Sequence, residues 1–241
     1  MGGVISVVIP AYNEAPRLPA TLRRIHAYLS ESALDYEIVV VDDGSSDSTA
    51  EETLKTASEL KGIRLLDNET NRGKGYSVRK GVLASRGRLV LISDADLSTP
   101  IEEMEKLLPF VRGDFDMAVG SRAMEGSELA LRQPWYREKM GKAFNLMVRA
   151  IAVRGINDTQ CGFKLMKGDA ARKVFGKCRL DGFSFDVEAL FVAKRLGYKI
   201  KEVPVRWLNS PVSRVKLLSD PAKMFVDLLR IRVYQLLGYY G

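Results

Sequence analysis

Short β-branched apolar runs alternate with helix-patterned stretches through about residue 120, and each run ends in polar side chains. Ile5–Ile9 stops at Pro10, Glu37–Val41 at Asp42-Asp43-Gly44, and Leu89–Ser93 at Asp94-Ala95-Asp96. Ile63–Leu66 and Met117–Gly120 complete the set, the latter followed by Ser121-Arg122. Helices are expected between them. One covers Leu18–Leu29, and one starts at Ser48 with Glu51 at capping-box spacing. Another runs from the turn Asn71-Arg72-Gly73-Lys74-Gly75 to Ala84, and a fourth starts at Thr99-Pro100 with Glu102 as a first-turn acid. Strand alternating with helix predicts an α/β fold, a mostly parallel, Rossmann-like sheet flanked by helices. Ligands of such sheets bind beyond the carboxyl ends of the strands. The clusters Tyr12-Asn13-Glu14, Asp42-Asp43, Arg72–Gly75, Asp94–Asp96 and Ser121-Arg122 all fall at that rim.

Alternate side chains of a strand share a face, so Asp94 and Asp96 project together. Two such carboxylates can hold a hard divalent cation, with phosphate oxygens completing its shell. A lone pair of this spacing is also what a solvated turn looks like; the other four clusters favour a site. Asp42-Asp43-Gly44 reads as a turn or as part of the site, and Gly73 and Gly75 as backbone geometry or phosphate contact.

The formal charge of +7 favours anionic partners: nucleotide phosphates, nucleic acid or acidic lipid. No basic–aromatic interleaving supports nucleic acid, which is not expected as a partner. Gly73-Lys74-Gly75 lacks P-loop spacing, and Val78 stands where a dinucleotide fingerprint needs its third glycine. His26 is the sole histidine, in a helix remote from the clusters, so triad hydrolysis and a zinc site lose support. Cys161 and Cys178 form no metal or redox spacing and read as free thiols in a reducing compartment. No apolar run reaches the roughly 18 residues of a spanning helix, and the N-terminus has no signal-peptide pattern. The expected location is cytoplasmic, with any membrane contact peripheral or through a partner.

The second half is less regular. A helix is expected over Trp135–Val153, with Met140, Phe144, Met147, Val148 and Ile151 on one face. Asp158–Phe163 breaks the pattern. A helix near Val187–Arg195, a strand near Ile200–Val205 and a helical tail over Pro221–Tyr240 follow. The simplest parse is one catalytic domain over 1–218 and a C-terminal helix over 219–241. Its broad apolar arc suits core packing, a homodimer face or a membrane surface; Arg230, Arg232, Tyr239 and Tyr240 suit an interface.

The blocks Val7–Glu14, Val40–Ser45 and Asp94–Asp96 resemble the signatures of family 2 inverting glycosyltransferases, which have the GT-A fold. Gly120–Arg122, Asp158–Lys164 and Glu202–Arg206 resemble the polyprenyl-phosphate glycosyltransferases within it, the dolichyl-phosphate β-glucosyltransferases above all. That resemblance implies transfer of a hexose, from UDP-glucose, to a dolichyl or other polyprenyl phosphate with inversion. Pro10, Tyr12, Glu14, Val40, Asp42, Asp94, Ala95 and Asp96 would bind the nucleotide sugar. Asp96, with Asp94, would hold Mg²⁺ or Mn²⁺; Ser98 stands where some relatives carry a glutamine ligand. Asp158 would orient the acceptor or act as base beside Arg122. Arg122, Arg132, Gln160, Arg206, Arg214 and Lys216 would receive phosphate or acceptor, arginine being able to grip phosphate with two parallel bonds. A lipid phosphate is already ionised near neutral pH, so positioning and electrostatics would supply most of the rate. The rival readings are a GDP-mannose donor, a glycan or protein acceptor, and a non-catalytic nucleotide-sugar-binding subunit. A homodimer or a membrane-protein partner is compatible with each.

Overall fold

The computed structural model describes residues 4–32, 35–129, 145–149, 151–208 and 219–241. Its first half follows the expected alternation: β1 (Ile5–Ala11), α1 (Leu18–Glu31), β2 (Tyr36–Asp42), α2 (Thr49–Glu59), β3 (Ile63–Asp67), α3 (Lys74–Ala84) and β4 (Leu89–Ile92). A 3-10 turn at Ile101–Glu103 leads into α4 (Met104–Arg112), then β5 (Met117–Ser121) and β6 (Glu128–Leu129). The second half contributes β7 (Lys164–Lys167), α5 (Gly168–Lys177), α6 (Phe185–Arg195), β8 (Ile200–Pro204), β9 (Arg206–Trp207) and α7 (Ser219–Leu236).

Seven strands form one sheet in the order β3-β2-β1-β4-β7-β5-β8, and β6 pairs with β9 apart from it. Every neighbour in the large sheet is parallel except β7, which runs antiparallel to both β4 and β5. Helices cover both faces, so the central strands carry continuous apolar runs instead of apolar–polar alternation. Period two still sorts them. Val8, Val39, Val41, Val90 and Ile92 join one core with α3, α5 and α6. Val7, Ile9, Ile38, Val40 and Leu91 join the other, with α1 and α4. Helix α1 fits because Leu18, Leu22, Ile25 and Leu29 recur at helical spacing and bury completely.

Several expectations change. Ser48 makes no capping bond; the Asp47 carboxylate instead accepts the Thr49 amide at 3.0 Å. Thr99 does not cap α4 either: the preceding 3-10 turn starts after Pro100 with no side-chain cap. Strand β7 and helix α5 were not anticipated, because a lysine at each end of β7 hides a four-residue strand. Of the Trp135–Val153 helix, residues 145–149 are helical and 135–144 lie outside the described residues. The break at 218/219 marks a change of element and not of core, since Met224, Leu228 and Ile231 of α7 join the same core as α6. Among the described residues, no helix is long and apolar enough to cross a membrane.

Candidate active site

The parallel strands β1, β2, β4 and β5 end at one rim, and antiparallel β7 starts there. Chain direction therefore brings residues 158–163 to the same edge as Asp94 and Arg122. Residue Lys164 pairs with Ile92 on one side and Val119 on the other.

The loop after β1 is wired to the loop after β2. Asn13 takes a positive φ of 52°, its amide donates to Ser45 Oγ at 2.8 Å, and its Oδ1 accepts the Ser46 amide at 2.8 Å. The Glu14 amide donates to Thr49 Oγ1 at 2.8 Å. Arg17, on the approach to α1, holds Glu14 through Nε and Nη2, the latter at 2.7 Å, and reaches within 3.9 Å of Asp96 Oδ2. The β1 loop and the paired carboxylates thus border one hollow.

Asp42 and Asp43 have separate jobs. Asp42 is buried and accepts the Ser45 amide at 3.2 Å and its hydroxyl. Burial pushes its carboxyl up, with the Ser45 bonds opposing. Asp43 accepts the amides of Arg72 and Gly73 at 2.9 and 2.8 Å, and Asn68 Nδ2 at 2.8 Å. It therefore shapes the glycine-rich turn. Gly73 has φ of 100°, and a Cβ there would lie 2.4 Å from the Asp181 carbonyl, so both backbone angle and space require glycine.

That turn aims Lys74 at the β4 rim. Lys74 Nζ lies 2.6 Å from Asp94 Oδ1, over the Phe185 ring at 5.8 Å. This is a close charge-assisted pair. Burial opposes the charge on Asp94, but Lys74, with Lys164 and Arg122, holds its carboxyl below the usual carboxylate range. Burial likewise opposes the charge on Lys74, and Asp94 and Asp186 reverse that and raise its pKa. Asp94 keeps 33% of its side-chain surface and Asp96 19%, so a ligand can reach both. Asp96 Oδ1 accepts the Ser98 amide at 2.9 Å. Ser98 thus contributes its backbone to hold Asp96.

Across the rim, Asp158 grips Arg122 at both oxygens: Nε to Oδ2 at 2.7 Å, Nη2 to Oδ1 at 2.9 Å, and the Arg122 amide to Oδ2 at 3.0 Å. Asp158 is buried, which opposes its charge, yet Arg122 holds its carboxyl below the usual range. A carboxylate so paired is a poor proton acceptor, which weighs against the base role expected for Asp158. Glu202 of β8 fixes this loop by accepting the amides of Asn157 and Asp158 at 2.9 and 2.8 Å. Arg122 also lies over Trp207, 5.4 Å from the ring centroid. Behind the rim, fully buried Lys164 pairs with Asp186 and with the Cys161 carbonyl.

Two of the expected nucleotide-binding positions have buried side chains. Val40 is 0% exposed and packs in the core two residues short of the rim. Ala95 is also in the core, and its carbonyl accepts Thr21 Oγ1 at 2.7 Å. Val40 shares its face of β2 with Asp42 but lies deeper in the sheet, and Ala95 sits in the turn beyond β4. Pro10 and Tyr12 lie half-buried at the end of β1 and just past it. The Gln160 amide donates to Asp158 Oδ1 at 3.2 Å. The Arg206 amide donates to Glu103 at 3.0 Å, and the Leu208 amide donates to the Ser98 carbonyl at 2.7 Å. Its buried Nε has no hydrogen-bond partner among the described residues. Arg132, Arg214 and Lys216 lie outside the described residues. Sequence reasoning missed Arg17, Lys74, Lys164, Asp186 and Glu202. For Lys74 the signal was present, one residue inside the glycine-rich turn.

The profile of Glycosyl transferase family 2 matches residues 6–175. The dolichyl-phosphate beta-glucosyltransferase of Dictyostelium discoideum is 36% identical over 248 residues, covering 98% of this chain and 76% of its own length. That of Saccharomyces cerevisiae is 37% identical over 254 residues, with 98% and 76% covered. Among solved structures, mannosyl-3-phosphoglycerate synthase from Rubrobacter xylanophilus aligns with a TM-score of 0.69 at 23% identity, covering 98% of this chain and 75% of that one. Glucosyl-3-phosphoglycerate synthase from Mycobacterium tuberculosis, in complex with Mn²⁺, UDP-glucose and phosphoglyceric acid, aligns at 0.68 and 19% identity, covering 95% and 80%. These two structures share the fold.

Proposed function

The chain belongs to glycosyl transferase family 2, and from that premise we propose that it transfers glucose from UDP-glucose to dolichyl phosphate, giving a β-linked lipid phosphate sugar. The observation that carries the siting is Arg17, which joins Glu14 of the β1 loop to Asp96 of the β4 rim. The UDP moiety fits between the β1 and β2 loops, with its diphosphate toward Asp94 and Asp96.

The donor set suits a hard divalent cation, Mg²⁺ or Mn²⁺. Asp94 and Asp96 offer carboxylate oxygens at one rim, Asp94 held by Lys74 and Asp96 by the Ser98 amide. Among the described residues no third acidic, histidine or cysteine side chain joins them, which leaves coordination positions for diphosphate oxygens and water. Asp96 would be the direct ligand, since Lys74 already engages Asp94. Such a cation, when bound, offsets the charge that grows on the departing diphosphate.

The chain's own residues supply the rest. Arg122, fixed in place by Asp158, and Lys74, fixed by the Asp43-shaped turn, present two oriented cations to phosphate groups. The acceptor phosphate oxygen attacks the anomeric carbon, the bond from that carbon to the UDP oxygen breaks, and configuration inverts. The acceptor is already ionised, so no protein base is needed. This agrees with an Asp158 committed to Arg122.

Calorimetric titration with Mn²⁺ tests the donor. UDP-glucose should bind and GDP-mannose should not; tight GDP-mannose binding without UDP-glucose binding would move the assignment to a mannosyl donor.

A further inference from the structure

Helix α3 has no capping side chain at its start. Its N-cap position is Gly73, so the amides that a cap would satisfy need acceptors from elsewhere. Two acceptors supply them. The Asp181 carbonyl takes the Gly75 amide at 2.8 Å and the Tyr76 amide at 3.3 Å. The Asp43 carboxylate takes those of Arg72 and Gly73. Four of the five amides from Arg72 to Tyr76 are thus engaged within the protein. The start of a helix behind a glycine-rich turn is ordinarily a place for phosphate. Here the turn's amides already hold a carboxylate, and a phosphate would meet the Lys74 side chain instead.

The segment that carries Asp181 lies close against the turn. A Cβ on Gly75 would stand 2.5 Å from the Leu180 carbonyl oxygen and 2.7 Å from Phe185 Cβ. Arg79, one helical turn beyond Gly75, reaches back to the same segment. Its Nη2 lies 2.7 Å from Asp181 Oδ1 and its Nη1 3.4 Å from the Cys178 carbonyl oxygen. The segment then enters α6 through Phe185, whose ring centroid lies 5.8 Å from Lys74 Nζ. It therefore fixes both the backbone from which Lys74 projects and the ring over which its ammonium rests.

We propose that Asp181 and Arg79 are positioning residues for hexose transfer, acting through Lys74. Their pairing seats the start of α3 so that the Lys74 ammonium stands beside Asp94 and faces the departing diphosphate. What Lys74 faces rests on the proposed function; how it is seated does not. A general structural role is the rival. The Arg79 and Asp181 side chains keep 19% and 43% of their surface, so their pair adds little to global stability. Breaking it should release the turn and leave the fold.

Arg79→Met tests this in two backgrounds, the parent and Lys74→Met, with Mn²⁺, UDP-glucose and dolichyl phosphate. In the parent it should lower kcat about tenfold with little change in the KM for UDP-glucose. In Lys74→Met it should change kcat less than about twofold, since the group it positions is gone. Arg79→Lys should recover part of the loss, and Asp181→Ala should repeat the pattern of Arg79→Met. Melting temperatures should stay close to the parent's, while hydrogen exchange at the Gly75 and Tyr76 amides should quicken in Arg79→Met and Asp181→Ala. Equal losses in the two backgrounds would overturn the proposal, as would an undiminished kcat in Arg79→Met. A parent chain that transfers no hexose from UDP-glucose would refute the reaction. The seating would then stand on quickened amide exchange and fall on unchanged exchange.

Discussion

Asp158 uses both carboxylate oxygens to fix Arg122, through Nε at 2.7 Å, Nη2 at 2.9 Å and the arginine amide at 3.0 Å. Such a two-point grip fixes the plane of a guanidinium as well as its position. It leaves Nη1 outside the pair, on a cation that faces the same rim as Asp94. Burial raises the cost of breaking the pair, which ties the end of β5 to the loop before β7.

Asp158→Asn should therefore cost stability and activity together. Its carboxyl is lowered in the folded chain. Its stabilisation is complete above the ordinary carboxylate pKa of about 4 and drains away as pH falls toward the lowered folded value. The variant should lose about 2–3 kcal/mol at neutral pH, and the two unfolding free energies should converge in acid. Urea unfolding across that range measures this, and turnover at neutral pH should fall by about 100-fold.

Gly162→Ala should damage chemistry far more than folding. A Cβ there would stand 2.5 Å from Asp94 Oδ2 and 2.8 Å from Oδ1, so the carboxylate must leave the position in which Lys74 holds it. A displacement of that order costs about 100-fold in kcat/KM. Steady-state kinetics beside a thermal melt separates the two effects.

Lys74→Met should strand the Asp94 charge in a partly buried site and remove one cation from the rim. Turnover should drop by about 10- to 100-fold, the equivalent of losing one charge-assisted contact. Lys74→Arg should recover part of it, because charge is kept while reach and geometry change.

The Lys164–Asp186 pair offers a double-mutant cycle. Lys164→Met alone leaves Asp186 buried and unpaired and should cost about 3–5 kcal/mol. Lys164→Met with Asp186→Leu should be close to the parent in stability, since an apolar pair of similar volume replaces two buried charges. Chemical denaturation of the four proteins gives the coupling energy. Losses that simply add would contradict a direct pairing.

The first half of the sheet was readable because burial on both faces leaves unbroken β-branched runs with polar stops. Asp94, Asp96, Glu14 and Arg122 were readable for the same reason, as the residues that follow those stops. Strand β7 was not. Its buried Lys164 looks like a surface residue until Asp186 is placed beside it by a helix 22 positions later. The antiparallel insertion of β7 also explains how Asp158 reaches Arg122 from 36 residues away, which no local pattern encodes. Val40 and Ala95 have buried side chains that sequence spacing did not reveal: Val40 lies one pleat deeper in β2 than Asp42, and Ala95 packs under the turn that carries Asp94 and Asp96. Asp43 was seen as a turn former, yet what it forms is the turn that delivers Lys74.

The decisive measurement is the mass of the lipid product formed from dolichyl phosphate and a panel of nucleotide sugars with Mn²⁺, run on the parent chain and on Asp96→Ala. The account predicts one product, heavier by a glucosyl unit, from UDP-glucose with the parent and none with the variant. A product from GDP-mannose alone, or an undiminished yield from Asp96→Ala, would contradict it.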